Sequence, residues 1–196
     1  ELPNKIRDGR VDYVRRCIYC NNCLKSATDA AAGPMSCSVN PFVAREAKYP
    51  LRPAAKSRKV MIVGGGLAGM EMAIYLTERG HRVSLYEKEA VLGGQWNIAC
   101  ALPGKGGYAA LTDYLKRSLK NKHVEVVLGT EVTREMVQQR KPDVVVLATG
   151  AVPLGLRVPG ADLPHVIQGH DFIAGKAEAK GRVVVVGGRF IGMEVA

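Results

Sequence analysis

At 196 residues, 47% of them hydrophobic and 23% charged, the chain is long enough to bury a core and too apolar for a disordered tail. The formal net charge of +10 would suit a nucleic-acid binder, but the basic residues, among them Arg7, Arg10, Arg15, Lys116, Arg117, Lys120 and Lys122, are scattered, so no nucleic-acid partner is expected. The longest apolar stretches are strand-length, no leader-like run opens the chain and five cysteines fit a reducing compartment, which implies a cytoplasmic protein with no membrane partner.

Residues 1–48 lack sustained helix or strand periodicity and carry Cys17, Cys20, Cys23 and Cys37, so an irregular segment folded around a metal centre is expected. C-x2-C-x2-C puts three thiolates on one tight turn, able to cap three corners of a [4Fe–4S] cubane while a distant fourth cysteine closes the site. Zinc is the rival ligand, although it usually takes two separated C-x2-C knuckles, and a disulfide set is the third alternative. Cys100 stands apart and reads as a buried small hydrophobe. Residues 49–59 are polar and proline-bearing, a connector.

Val60 to Val63 then reads as a strand ending in glycines, and Leu67, Met70, Ala73, Ile74 and Leu76 follow at helical spacing, with Gly80 as the stop. Arg82 to Tyr86 is a second strand. Tyr108 to about Lys120 is a helix with Leu111, Leu115 and Leu119 on one face, and Val124 to Leu128 is a strand. Asp143 to Ala148 is a continuous apolar run of the kind buried on both faces, and Val183 to Val186 is another strand running into glycines. The alternation predicts an α/β, Rossmann-like dinucleotide-binding domain with a parallel sheet and flanking helices.

Gly64, Gly66 and Gly69 stand in G-x-G-x-x-G spacing between strand and helix, where the first makes a turn, the second admits a pyrophosphate and the third lets the helix approach the strand. Glu87, 18 residues beyond Gly69, ends the second strand where a carboxylate can accept hydrogen bonds from an adenosine ribose; its alternative is an ordinary surface acid in Glu87-Lys88-Glu89. Gly93-Gly94-Gln95 suggests a further close backbone approach, and Ala148-Thr149-Gly150 ends a strand with residues small enough to abut a cofactor. Gly187, Gly188 and Gly192 repeat the strand-glycine-helix unit, with Arg189 in the place of the second glycine. Its charge could hold a pyrophosphate or its bulk obstruct one. His81, His123, His165 and His170 are scattered, and no catalytic acid or base is nominated.

The order Leu2-Pro3-Asn4-Lys5, Cys17-Ile18-Tyr19-Cys20-Asn21-Asn22-Cys23, Cys37-Ser38-Val39-Asn40-Pro41, Gly64 to Gly69, Tyr86-Glu87-Lys88, Gly93-Gly94-Gln95 and Ala148-Thr149-Gly150 resembles the C-terminal half of the bacterial 2,4-dienoyl-CoA reductase and trimethylamine dehydrogenase family. Its C-x2-C-x2-C spacing is closer to the amine dehydrogenase branch. The resemblance implies residues 1–48 as an iron-sulfur segment, 49–59 as connector, 60–165 as an incomplete FAD- or ADP-binding domain and 166–196 as the start of an NAD(P)H-binding domain. It implies cofactor contacts at Gly64, Gly66, Leu67, Ala68, Gly69, Glu87, Lys88, Gly94, Gln95, Val132, Ala148, Thr149 and Gly150, with NAD(P)H at Gly187, Gly188 and Gly192. In such a protein NAD(P)H reduces FAD, electrons pass through the [4Fe–4S] cluster, and FMN in a TIM barrel, absent from this sequence, reduces an enoyl- or dienoyl-type substrate. In the amine dehydrogenase branch the FAD-like site holds ADP. A zinc-stabilised nucleotide-binding module is the reading from another class. Four thiolates on an oxidised cubane add about −2 and a flavin dinucleotide about −2, which would leave roughly +6 on the loaded chain. The isolated chain is expected to be an inactive fragment of an oxidoreductase, with homo-oligomerisation an open expectation.

Overall fold

The computed structural model describes residues 2–29, 31 and 33–196, so Glu1, Ala30 and Ala32 of the expected cysteine segment lie outside it. That segment is less irregular than expected: it holds two short helices, α1 (Leu2–Arg7) and α2 (Asn22–Thr28), the second carrying Cys23 in its first turn. Both are six or seven residues long, too short for an amphipathic period to register in the sequence.

Beyond the connector, β1 (Lys59–Val63) leads through α3 (Leu67–Glu78) to β2 (Arg82–Tyr86). Helices α4 (Gln95–Ala101) and α5 (Ala109–Asn121) then lead to β3 (Glu125–Val127), and α6 (Arg134–Arg140) leads to β4 (Val144–Leu147). All pairings are parallel, in the order β3-β2-β1-β4, so helices must carry each crossover. The register places Val60 beside Val83 and Val144, and Ile62 beside Leu85 and Val146. This apolar face meets Met70, Ala73 and Ile74 of α3 and Leu111, Leu115 and Leu119 of α5, forming the core. Ile18 and Val39 join the same core, so the cysteine segment packs on the sheet-and-helix body.

Two strand expectations need correction. Asp143 to Ala148 is not buried on both faces: Val144 and Val146 turn toward the core, but Leu147 is 76% exposed. β4 lies at the sheet edge, and two-sided burial requires a second packed layer, which an apolar run cannot by itself supply. Val183 to Val186 is not a paired strand either, and Val184 is 86% exposed. Among the described residues no neighbouring strand answers its backbone groups, and a strand exists only through such pairing. The sequence around it still folds locally, with α7 (Gly169–Ile173) before it and α8 (Phe190–Val195) after its glycine turn. Among the described residues no helix is long and apolar enough to cross a membrane.

Candidate nucleotide and cluster sites

The strand order reverses at β1, with β2 and β3 on one side and β4 on the other. Open α/β sheets bind ligands beyond the carboxyl ends of the strands at such a point, here those of β1 and β4. Gly64 turns the chain there with φ +110°, a conformation that side chains other than glycine rarely adopt. Added carbon at Gly69, in the first turn of α3, would collide with the Gly64 carbonyl oxygen, so the helix sits directly on the turn. Gly66 is the opposite case, with nothing within 4 Å of where a Cβ would stand. It is also the N-cap of α3, and no side chain caps the helix, so the first-turn N–H groups face this space. Free space beside a positive helix end fits a pyrophosphate. Leu67 packs toward the core from the same turn, while Ala68 is exposed.

Glu87 is not a surface acid. It is 7% exposed, its Oε2 accepts the Gly65 N–H at 2.6 Å and its Oε1 accepts the Glu89 N–H at 2.9 Å. The carboxylate thus braces the glycine turn from the end of β2, with lone pairs left over for a further donor such as a ribose hydroxyl. Sequence reading found Glu87 but missed Gly65, whose signal is the extra glycine in Gly64-Gly65-Gly66. A Cβ at Gly65 would stand 2.9 Å from that of Glu87. Lys88 is exposed just beyond.

The remaining loops converge on the same end of the sheet. Gly93 N–H donates to the Gly65 carbonyl at 2.9 Å, and a Cβ at Gly94 would reach the Gly66 Cα at 3.4 Å. The Gln95 side-chain amide donates to the Ala151 carbonyl, joining this loop to Thr149 and Gly150. Ala148 N–H donates to Val63 O at 2.8 Å. Val132 lies between β3 and α6; the nearest tie to the site is Thr130 N–H, which donates to Glu87 O at 2.9 Å. Gly187, Gly188 and Gly192 are not part of this constellation. They form a second turn of the same kind, in which a Cβ at Gly192 would collide with the Gly187 carbonyl. Arg189 is its exposed N-cap in extended backbone, the position that Gly66 fills in the first turn.

Cys17, Cys20 and Cys23 are exposed, Cys37 is half-buried, and all four are free thiols. Between them Tyr19 and Asn21 hold φ values of +56° and +55°, which cost energy in residues with a Cβ and recur where a loop has a task. Tyr19 N–H donates to Cys17 Sγ at 3.3 Å. Cys20 Sγ lies 3.3 Å from Ser38 Oγ, which brings it beside the Cys37 loop. Asn22 Nδ2 donates to Ser36 Oγ at 2.9 Å and Ser36 N–H donates to Ser26 Oγ at 2.9 Å, explaining why residues 36–38 run along α2. The Ser38 hydroxyl, then the backbone at Asn22, hold the Cys20 thiol below its ordinary pKa. The thiol of Cys100, half-buried on α4, is pushed up by burial and by Asp113. Among the described residues no three His, Cys, Asp or Glu side chains converge as one metal ion requires. A cubane spreads its thiolates over four irons, and the donor set of four free thiols with an N–H aimed at sulfur fits that group.

Residues 58–196 match a family model described as pyridine nucleotide-disulphide oxidoreductase. The whole chain is 40% identical to an NADH oxidase of Thermoanaerobacter brockii, covering 31% of that protein. Over 94% of its length it is 34% identical to a dimethylamine dehydrogenase of a Hyphomicrobium species, covering 28% of it. In structure it resembles a 2-naphthoyl-CoA reductase solved in complex with 2-naphthoyl-CoA, with a TM-score of 0.92 and 33% identity over 99% of this chain and 30% of that one. The chain therefore spans less than a third of the length of these relatives.

Proposed function

The chain belongs to the pyridine nucleotide-disulphide oxidoreductase family, and from that premise we infer that it is the electron-transfer part of an NAD(P)H:flavin oxidoreductase. In this reading residues 1–48 hold a [4Fe–4S] cluster on Cys17, Cys20, Cys23 and Cys37, 49–59 connect, 60–165 bind FAD and 166–196 belong to the NAD(P)H-binding domain. A bound flavin supplies two-electron to one-electron conversion, accepting a hydride and releasing electrons singly, and a cluster carries them onward. The chain's own residues do the holding. The α3 N–H groups and the gap at Gly66 receive the pyrophosphate, Glu87 keeps the turn in place and offers acceptor capacity to a ribose, and Gly94, Gln95, Thr149 and Gly150 wall the site. The observation that carries the reading is the packing of Ile18 and Val39, which flank the cysteines, into one core with Met70 of α3, the helix that starts at the nucleotide turn. An FMN-binding TIM barrel of the same parent chain is the proposed acceptor, an unsaturated acyl-type compound the proposed substrate class, and a cytoplasmic location suits the five free thiols.

Likeness to a dimethylamine dehydrogenase supports a second reading, in which the same pyrophosphate and adenosine contacts hold ADP. Anaerobic purification with iron, sulfide, zinc and flavin analysis separates the readings. About four irons per chain with a broad absorbance that dithionite bleaches, together with FAD, is the expected result. Iron with ADP and no flavin selects the second reading, and stoichiometric zinc with no iron overturns both.

A further inference from the structure

We propose that Arg15 is a positioning residue that clamps the cysteine segment onto α3 and so fixes the separation between the thiols and the glycine turn at the head of that helix. Its Nη1 donates to Glu71 Oε1 at 2.6 Å and to the Val39 carbonyl at 2.5 Å, and its guanidinium carbon lies 4.7 Å from the centre of the Tyr114 ring. The Arg15 and Glu71 side chains are only 14% and 18% exposed, so solvent screens this pair far less than a surface bridge. One cation thereby joins four places. Arg15 itself stands two residues before Cys17, Val39 stands two after Cys37, Glu71 lies on α3 five residues beyond Gly66, and Tyr114 lies on α5.

Apolar packing does not set this spacing unaided. Beside the clamp is a cleft of about 190 Å³, open to solvent, lined by Cys37, Ser38 and Val39 of the loop, by Leu67, Ala68 and Glu71 of α3 and by Leu111 and Leu115 of α5. Close-packed interiors hold their distances by contact, whereas across an open cleft the directional bonds at its rim add to that control. Arginine suits the task because one nitrogen can bond a carboxylate and a carbonyl while the planar guanidinium covers an aromatic ring; a lysine ammonium could make the two bonds but has no plane to lay over the ring. The T-shaped contact of Phe42 with Tyr75, 4.7 Å between ring centres, is a second contact of the loop with α3, one turn beyond Glu71.

The inference rests on the cluster and dinucleotide reading, and the test separates the two. The protein is purified anaerobically with its own cofactors, and iron content and ADP affinity are measured first. Absence of iron or of ADP binding in the unaltered protein refutes the site reading before any variant is made. Arg15→Met, Arg15→Lys and Glu71→Gln are then compared by hydrogen exchange over residues 36–43 and by the midpoint potential of the cluster, which follows its solvent exposure and hydrogen bonding. Arg15→Met is expected to keep iron and ADP affinity within about twofold, to speed exchange in that segment by roughly 10- to 100-fold, and to shift the potential, with Arg15→Lys recovering part of both. Wild-type exchange and potential in Arg15→Met overturn the proposal. If that variant loses iron, Glu71→Gln decides: faster exchange with iron retained supports the clamp, and unchanged exchange refutes it.

Discussion

Replacing Glu87 by glutamine separates two tasks that a single carboxylate could perform. A residue that only met a ribose would affect ligand affinity and leave the empty chain untouched. The structure gives it a second task, since both oxygens accept backbone N–H groups, from Gly65 at 2.6 Å and from Glu89 at 2.9 Å, in a position that is 7% exposed. Glutamine keeps one acceptor oxygen, at the strength of a neutral bond, and turns an amide N–H toward the other donor. Losing one charge-assisted bond, weakening the second and leaving a buried N–H unanswered sum to about 2–4 kcal/mol. For a chain of this length that corresponds to a fall in melting temperature of roughly 5–15 °C.

Urea unfolding of Glu87→Gln without nucleotide, followed by calorimetric titration with ADP, reads both tasks. The expected outcome is lower stability of the ligand-free chain together with affinity weakened by about tenfold or more, because a slack turn no longer presents its N–H groups. Ligand-free stability within about 0.5 kcal/mol of the unaltered chain would refute the brace, whatever happened to ADP binding.

Three further outcomes are expected. Gly66→Ala should leave unfolding almost unchanged, its Cβ meeting open space, yet weaken ADP binding, whereas Gly69→Ala should cost about 3 kcal/mol or more by driving α3 off the Gly64 carbonyl; equal stability losses in parallel melts would contradict the packing seen here. In cluster-free chain at neutral pH, iodoacetamide should label Cys20 faster than Cys100, since a lowered pKa enlarges the thiolate fraction at fixed pH and a raised one shrinks it; mass spectrometry over time gives the order. Cys37→Ser should abolish iron retention and loosen residues 2–48 while β1 to β4 remain, which iron analysis and hydrogen exchange can report together.

What the sequence made legible is what is local. A strand, three glycines at fixed intervals and a helix occupy consecutive residues, so the motif is readable without knowing what packs on it; among the described residues the copy at Gly187 to Gly192 has no paired strand before it, yet its Gly192 still sits on the Gly187 carbonyl. C-x2-C-x2-C is legible for the same reason. The loop that carries Cys37 is tied to Cys20 and α2 through Ser36, Ser38 and Asn22, polar residues with no period to reveal them. Contacts that depend on the sheet order were hidden. Glu87 could be placed at a strand end, but its bond to Gly65 exists because β2 lies beside β1, and one glycine among three carries no mark of that neighbour.

The strand expectations fail by the same logic. Val144 to Leu147 and Val183 to Val186 are both apolar runs, and composition says that such a run wants covering without saying what covers it. Val146 finds Ile62 because β1 is already in place, whereas among the described residues no strand pairs with the run around Val184. Arg15 and Glu71 are the polar counterpart. They lie 56 positions apart among many charged residues, and the pair gains its meaning from the cleft beside it, which exists only once the segments that line it have folded. Local motifs thus identify the candidate sites, while the distance between sites depends on long-range polar contacts, and in this chain Arg15 makes one such contact from the cysteine segment to α3, through Glu71, and another to the Val39 carbonyl.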